Sequence, residues 1–237
     1  YRLFLTVSDE TVLTHVGIRD VRIEDRVVLL NGRPVKCRGV NRHDTHPEYG
    51  HAVSVDHMCN DLYILKQNNC NAIRTSHYPN DPRFLELCDE LGFMIIDEAD
   101  LETHGMGYNT DEDWDWYRWS FLSDDPQWRE SYIDRAARLY ERDKNHPCVV
   151  LWSLGNESGI GRNHRAMADY IRNRDPRALI HYENAHREFR AFPEDDHFED
   201  VSDVESRMYA DVEYIEEYLN NTAYKKPFFL CEYVCSM

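Results

Sequence analysis

The stretch VVLWSLGNESGIGRNH, residues Val149–His164, joins a continuous apolar run to a sudden polar cluster at Asn156–Ser158. A short apolar run of this kind is typical of a strand that is buried on both faces, as in a parallel sheet. Residues Asn163–Pro176 then place apolar side chains at spacings of three and four, which predicts an amphipathic helix. The segment is therefore read as strand, polar turn and helix, with the carboxylate of Glu157 directly after the strand.

The same unit recurs on both sides of this stretch, since short apolar runs alternate with amphipathic segments. Seven strands are predicted, at Lys36–Asn41, Ala72–Ser76, Met94–Asp97, Val149–Leu154, Leu179–Tyr182, Val204–Tyr209 and Phe228–Cys231. Helices are predicted at Val55–Asn69, Pro82–Gly92, Gln127–His146, Asn163–Pro176 and Asp211–Asn221.

This alternation favours an α/β fold of the (β/α)₈ TIM barrel type over a doubly wound sheet, because no glycine-rich phosphate loop follows the first strand. Since the chain ends soon after the seventh strand, we expect a barrel truncated there. Before the barrel, the pattern is all-β, and Asn31-Gly32 between two apolar runs predicts a hairpin turn. Gly105–Trp128 carries four tryptophans without a clear period, which predicts a long loop.

Composition narrows the choice of partners. Acidic residues number 44 against 27 lysines and arginines, giving a net charge of −17, which disfavours nucleic acid and anionic membrane surfaces. The seven cysteines are scattered without a CxxC pair, which is typical of a reducing compartment. No leader or membrane span is visible, so a cytoplasmic location is expected, although a first residue of Tyr1 suggests that upstream sequence is missing.

Polar side chains follow each predicted strand, and they converge on one mouth if the strands form a barrel. A single acid at such a position can simply cap the next helix. Helix caps, however, do not require the histidine, arginine and tyrosine that also occur here. The clusters are Asn41–His43, Arg74, Ser76-His77, Asp97-Glu98, Asn156-Glu157, Tyr182-Glu183, Tyr209 and Glu232-Tyr233.

Two carboxylates, Glu157 after the fourth strand and Glu232 after the seventh, lie across the mouth from each other in this arrangement. Glycoside hydrolysis uses such a pair, with one acid to protonate the leaving oxygen and one carboxylate to attack or to activate water. A separation of about 5–5.5 Å would retain the anomeric configuration, and roughly 6.5–9.5 Å would invert it. The sequence leaves both outcomes open.

Six motifs resemble, in order and spacing, the catalytic barrel of bacterial β-galactosidases of glycoside hydrolase family 2, over Gly17 to Met237. They are NRHDTHPEYG, AIRTSHYPNDPRFLELCDELG, IIDEADLETHG, NHPCVVLWSLGNESGIG, MYADVE and FFLCEY. The resemblance implies a retaining double displacement on β-D-galactosides such as lactose, with Glu157 as acid/base and Glu232 as nucleophile. It also implies substrate-binding or supporting roles for His43, Arg74, His77, Asn156 and Tyr209.

The resemblance further implies a magnesium ion held by Glu102, His104 and Glu157, a ligand set that suits a hard cation. A sodium ion is expected only in the full-length enzyme, and no residue here is assigned to it. Cys235 stands where the family usually has a histidine, which puts the fit of the sugar in doubt.

For the domains, the resemblance implies that residues 1–22 end an immunoglobulin-like β-sandwich and that residues 23–237 form the partial TIM barrel. A homo-oligomer is expected for the full-length enzyme, whereas the isolated chain, with open strand edges, is expected to be inactive.

Several alternatives remain open. Another family 2 exo-glycosidase, such as a β-glucuronidase or β-mannosidase, or an inactive barrel fragment would share these motifs. A metal-dependent hydrolase would use Glu102, His104 and His77. A non-catalytic carbohydrate-binding protein would use the tryptophan-rich segment Gly105–Trp128.

Overall fold

The computed structural model describes residues 1–108, 114–186 and 198–234, and within them all seven predicted barrel strands are present. Two antiparallel units precede them, a hairpin and a three-stranded sheet. Their strands are β1 (Arg2–Val7), β2 (Glu10–His15), β3 (Val21–Glu24), β4 (Val27–Leu30) and β5 (Arg33–Pro34). The barrel strands are β6 (Gly39–Arg42), β7 (Ala72–Thr75), β8 (Met94–Glu98), β9 (Val149–Ser153), β10 (Ile180–His181), β11 (Glu205–Met208) and β12 (Phe228–Glu232).

The barrel strands are parallel wherever they pair. Five of them form one sheet in the order β10-β9-β8-β7-β6, and β11 pairs with β12. Side chains link the two sheets, because Asn41 on β6 donates to the carbonyl of Cys231 on β12 at 3.2 Å, and His181 on β10 contacts Ser206 on β11 at 2.8 Å. This is the partial TIM barrel that the alternating pattern predicts.

Within the described residues, six α-helices connect and cover these strands. They are α1 (Val55–Gln67), α2 (Pro82–Leu91), α3 (Trp116–Asp124), α4 (Arg129–Asp143), α5 (Arg162–Arg172) and α6 (Val212–Asn220). Five of them were predicted from the spacing of apolar residues. Four of the six have a side-chain cap at the N-terminus, as in α1, where the hydroxyl of Ser54 accepts the N–H of His57 at 3.2 Å.

The prediction of an irregular loop over all of Gly105–Trp128 is wrong, because α3 lies within it. Asp115 caps this helix by accepting the N–H of Arg118. Trp119 is buried, but its companions on the buried side are Ser120 and Ser123. Polar residues on the inward face remove the apolar period on which the helix prediction depends.

The three-stranded sheet that precedes the barrel packs against the N-terminal ends of the barrel strands. Asn31 and Gly32 both have positive φ, 52° and 74°, and form the predicted turn between β4 and β5. Val21 and Leu30 of the three-stranded sheet pack against Met94 and Val150 at the N-terminal ends of barrel strands. β3 crosses the predicted domain boundary between residues 22 and 23, and that boundary stays a prediction.

Alternation along β8 separates the two sides of the barrel wall. Ile95 packs outward against the helices, whereas Met94 and Ile96 lie in a second apolar cluster inside the base. Glu98 continues the inward series and is fully buried at the mouth. The strands are therefore apolar at their starts and charged at their ends. None of the helices in the described ranges combines the length and apolar character that crossing a bilayer requires.

Candidate active site

Arg74 is the centre of the mouth. It shares the inward face of β7 with Ala72, and its side chain is 2% exposed. The guanidinium donates to Glu98 at 2.6 Å, to the amide oxygen of Asn156 at 2.8 Å and to Glu232 at 3.0 Å. One cation therefore joins the ends of three other strands, β8, β9 and β12.

The ion pair between Arg74 and Glu98 is buried, so each partner depends on the other for its charge. Burial alone would lower the pKa of Arg74, but attraction to Glu98 more than offsets this and raises it. Burial alone would raise the pKa of Glu98, but Arg74 and His77 lower it below its ordinary value. Both groups are therefore charged at neutral pH.

Behind Glu98 runs a chain of hydrogen bonds whose protons all point toward its carboxylate. Ser153 donates to Glu98 at 2.6 Å, so the hydroxyl oxygen accepts from Nδ1 of His181 at 2.8 Å. Burial lowers the pKa of His181 to about 3, so the ring is neutral. Its Nε2 therefore accepts the hydroxyl proton of Ser206 at 2.8 Å. This chain ends on the same oxygen of Glu98 that Arg74 contacts, and His77 contacts the other oxygen.

Glu232 lies at the end of β12 and accepts from two donors on different strands. Arg74 reaches one carboxylate oxygen, and the hydroxyl of Tyr209 donates to the other at 2.8 Å. Nε2 of His77 is 3.8 Å from the same oxygen that Arg74 contacts, while its Nδ1 bonds Glu98 at 2.8 Å. A cation and a hydroxyl donor therefore each hold one oxygen of Glu232 and fix the orientation of its carboxyl group.

Glu157 lies in the turn after β9 and has a positive φ of 38°, which is unusual for a residue other than glycine. Its carboxylate accepts from Nδ1 of His104 at 2.5 Å. Glu102 lies on the same segment as His104 and bridges to the backbone of Asn156. The structure thus brings together the three residues that the resemblance implies as magnesium ligands.

One donor atom from each of Glu102, His104 and Glu157 lies within 4.8 Å of the others. Glu102 is exposed and the other two are half-buried, so a hydrated cation has access to the group. Two carboxylates and one imidazole fit Mg²⁺, which favours oxygen ligands and keeps several waters.

Three of the four tryptophans gather beside this group. The ring of Trp114 lies 5.1 Å from that of His104 and 5.0 Å from that of Trp119, and Trp116 lies 5.5 Å from Trp119. The indole N–H of Trp119 donates to the carbonyl of Glu157 at 2.6 Å. The packing of these rings against each other is thus observed, whereas stacking on sugar stays a prediction.

The remaining predicted residue of the mouth is His43, whose ring lies 5.4 Å from that of His77. Burial and the neighbouring His77 lower its pKa, so it is neutral at pH 7. Successive contacts therefore join His43, Arg74, His77, Asn156, Tyr209 and Glu232, and the roles that the resemblance implies for them stay predictions. Cys235 lies outside the described residues.

Sequence reasoning assigned no role to Glu98, Ser153, His181 or Ser206, although all four are buried at the mouth. The sequence analysis placed Glu98 in a polar cluster at a strand end, and the strand period adds that it faces inward, because it lies two and four positions after Ile96 and Met94. The other three lie within strands, and their partners lie on different strands.

A family model described as glycosyl hydrolases family 2, TIM barrel domain, matches residues 21–237. β-Galactosidases of Vibrio cholerae and Kluyveromyces lactis are 42% and 40% identical over 94% and 98% of the chain, which spans 21% and 24% of their lengths. Solved β-glucuronidases of Ruminococcus gnavus and Dictyoglomus thermophilum match with TM-scores of 0.74 and 0.73 at 25% and 26% identity, covering 98% of the chain and 42% of each neighbour.

Proposed function

The chain belongs to glycosyl hydrolase family 2, and from this premise we propose that the whole protein is a retaining β-galactosidase cleaving terminal β-D-galactosides such as lactose. The observation that carries the proposal is the unequal setting of two carboxylates at one mouth. Glu232 is held by Arg74 and Tyr209, whereas Glu157 lies against His104.

In the first step, a carboxylate oxygen of Glu232 forms a bond to the anomeric carbon while the bond to the leaving oxygen breaks. Glu157 gives its proton to that oxygen. In the second step, Glu157 takes a proton from water, whose oxygen displaces Glu232 from the anomeric carbon. Two inversions at one carbon give net retention.

The supporting residues hold these two groups in place. Arg74 contacts Glu232 directly, and it also contacts Asn156, which is the residue before Glu157. It therefore links the positions of the nucleophile and of the acid. His77 and His43 line the same side of the mouth, where sugar hydroxyls would accept or donate hydrogen bonds. Such preorganised contacts lower the barrier because little reorganisation is left for the reaction itself.

Magnesium is part of the proposal, with Glu102, His104 and Glu157 as its ligands. A bound divalent cation would supply a fixed positive charge beside the acid/base. In the structure, Nδ1 of His104 contacts the carboxyl group of Glu157 at 2.5 Å, and Glu102 lies beside both.

Sequence identity to known enzymes favours galactose over glucuronic acid as the sugar that is cleaved. The curated β-galactosidases are about 40% identical over nearly the whole chain, whereas the structurally similar β-glucuronidases are about 25% identical. Because the chain spans about a quarter or less of those β-galactosidases, the sugar must be tested on the whole protein.

The test is hydrolysis of nitrophenyl β-glycosides of galactose, glucuronic acid, mannose and glucose by the whole protein and by its Glu232→Gln variant. Anomer detection by NMR gives the stereochemistry. We expect galactoside cleavage with retention and, in the variant, a loss of roughly a thousandfold or more in kcat. Glu130→Gln, an exposed carboxamide control on α4, should leave both unchanged.

Each alternative gives a different result. Cleavage of the glucuronide in preference to the galactoside would keep the mechanism and change the sugar. Inversion, or activity that survives Glu232→Gln, would refute the assignment of Glu232 as nucleophile.

A further inference from the structure

Glu183 is a buried acid to which the proposed mechanism gives no role. It lies two residues after the end of β10 and is 3% exposed. Its Oε1 accepts the backbone N–H of Glu157 at 2.6 Å. Its Oε2 is buried and has no hydrogen-bond partner among the described residues. Burial of a carboxyl group with one oxygen unpartnered lowers the stability of the fold. We therefore expect its one contact to serve the function of the site.

The contact is made at the point where the backbone needs support. Glu157 has a left-handed φ of 38°, a conformation that persists only when surrounding contacts hold it. Its N–H is held by Glu183, and its carbonyl accepts from the indole of Trp119 at 2.6 Å. Both polar backbone groups of Glu157 are therefore fixed by side chains from other elements.

The neighbouring residues extend the same attachment. The N–H of Ser158 donates to the hydroxyl of Tyr182 at 3.1 Å, and that hydroxyl donates to the carbonyl of Gly159 at 2.7 Å. Tyr182 and Glu183 together thus bond three consecutive residues of the turn. The two residues that follow β10 therefore hold this turn by hydrogen bonds.

We propose that Glu183 is a positioning residue that sets the backbone of Glu157 and thereby aims its carboxyl at the leaving oxygen. The proposal rests on the proposed function, because it takes Glu157 as the general acid. It assigns Glu183 no contact with substrate. Glutamine at this position keeps an oxygen that can accept the N–H of Glu157, whereas leucine has a similar size and no acceptor.

The test compares Glu183→Gln and Glu183→Leu in the whole protein, on aryl glycosides of the sugar that the protein cleaves. The series runs from dinitrophenyl, which departs without protonation, to phenyl, which needs a general acid. We expect Glu183→Leu to lose about tenfold to a hundredfold in kcat/KM on the phenyl glycoside, with little change on the dinitrophenyl glycoside. Glu183→Gln should stay within about threefold of the parent on both substrates.

Glu157→Gln gives the benchmark, since loss of the acid itself should show the same dependence on the leaving group at larger amplitude. Glu130→Leu and Glu130→Gln repeat the two chemical changes at an exposed site and should leave the series unchanged. Thermal unfolding of every variant distinguishes a misplaced Glu157 carboxyl group from a loss of folded protein.

An equal loss across the series, no loss in Glu183→Leu, or a loss in Glu183→Gln as large as in Glu183→Leu would each overturn the proposal. The glutamine variant keeps it refutable even where the leucine variant does not fold. A parent protein that cleaves no glycoside would instead refute the proposed function, and the inference with it.

Discussion

The two ends of the barrel are built from the same strands but from opposite chemistry. At the mouth, Arg74 and Glu98 form a buried pair that extends to Glu232. At the base, Met94 and Val150 lie in an apolar cluster that the three-stranded sheet covers. Glu98 lies only four positions after Met94 on β8, so the polarity of one inward face reverses within about 13 Å.

The difference shows how stability and chemistry are divided along a strand. Apolar burial at the base is favourable by itself, at about 25 cal/mol per Å² removed from water. A buried ion pair at the mouth roughly balances its own desolvation, so it is weak evidence for stability. Each charged group at the mouth therefore depends on its partners. Removal of one of them should lower the free energy of unfolding more than removal of an apolar group at the base.

The largest effect is expected for Arg74→Met. It leaves Glu98 charged and buried without its partner, and it removes a donor to Glu232. The free energy of unfolding should fall by about 3–5 kcal/mol, and kcat by at least about a hundredfold. Chemical denaturation and nitrophenyl glycoside kinetics measure the two quantities.

The matched control is Arg129→Met at the surface, where Arg129 pairs with the exposed Glu130. Its effect on unfolding should stay within about 0.5 kcal/mol. Equal effects at both positions would show that the buried network of the mouth is not more demanding than a surface pair.

Met94→Ala tests the base in the same way. The cavity it leaves should cost about 3 kcal/mol of unfolding free energy. Because Met94 lies about 13 Å along the strand from Glu98, kcat measured well below the melting temperature should change by less than about twofold. A large fall in kcat at unchanged KM would show that the base and the mouth are coupled, against the division drawn above.

The same division explains what could be predicted from the sequence. The seven strands and five of the helices follow from apolar periodicity, which burial at the base and against the helices imposes. Glu157 and Glu232 could be found because each is a carboxylate that directly follows an apolar run. α3 was missed because Ser120 and Ser123 lie on its buried face.

The hydrogen-bond chain behind Glu98 could not be predicted for a different reason. Ser153, His181 and Ser206 lie on three strands and far apart in sequence, and their contacts depend on strand register. Nothing local marks His181 as an acceptor for Ser206 rather than an ordinary buried histidine. Only the packed arrangement decides which buried polar group has a partner.

His181→Phe tests this point, and its expected effect on the free energy of unfolding is of intermediate size. It leaves Ser153 and Ser206 without the two ring nitrogens that lie between them, so the free energy of unfolding should fall by about 1–3 kcal/mol. His164→Phe is the matched control, since His164 is equally buried but neither ring nitrogen has a partner among the described residues. That change should be neutral or stabilising by up to about 1 kcal/mol. Similar losses in both variants, measured by urea denaturation, would mean that the chain behind Glu98 adds nothing.

The smallest effect concerns histidine charge outside the mouth. His146, just before β9, bonds Asp89 at 2.6 Å, and this contact raises the pKa of His146 above its ordinary value. The protonated pair therefore stabilises the fold fully below about pH 6.5, and this contribution is lost as the pH rises through the raised pKa. By contrast, the pKa of His181 is about 3, so the mouth has no such dependence from its buried histidine near neutral pH.

Asp89→Asn isolates the effect, because its amide oxygen can still accept the N–H of Cys148 as Asp89 does at 2.8 Å. From pH 6 to pH 9, the parent should lose on the order of 1 kcal/mol of unfolding free energy relative to this variant. Urea denaturation at several pH values measures the difference. Parallel pH curves for the two proteins would show that the pair is no stronger in the folded state than in the unfolded chain, so that the charge of His146 adds nothing to stability.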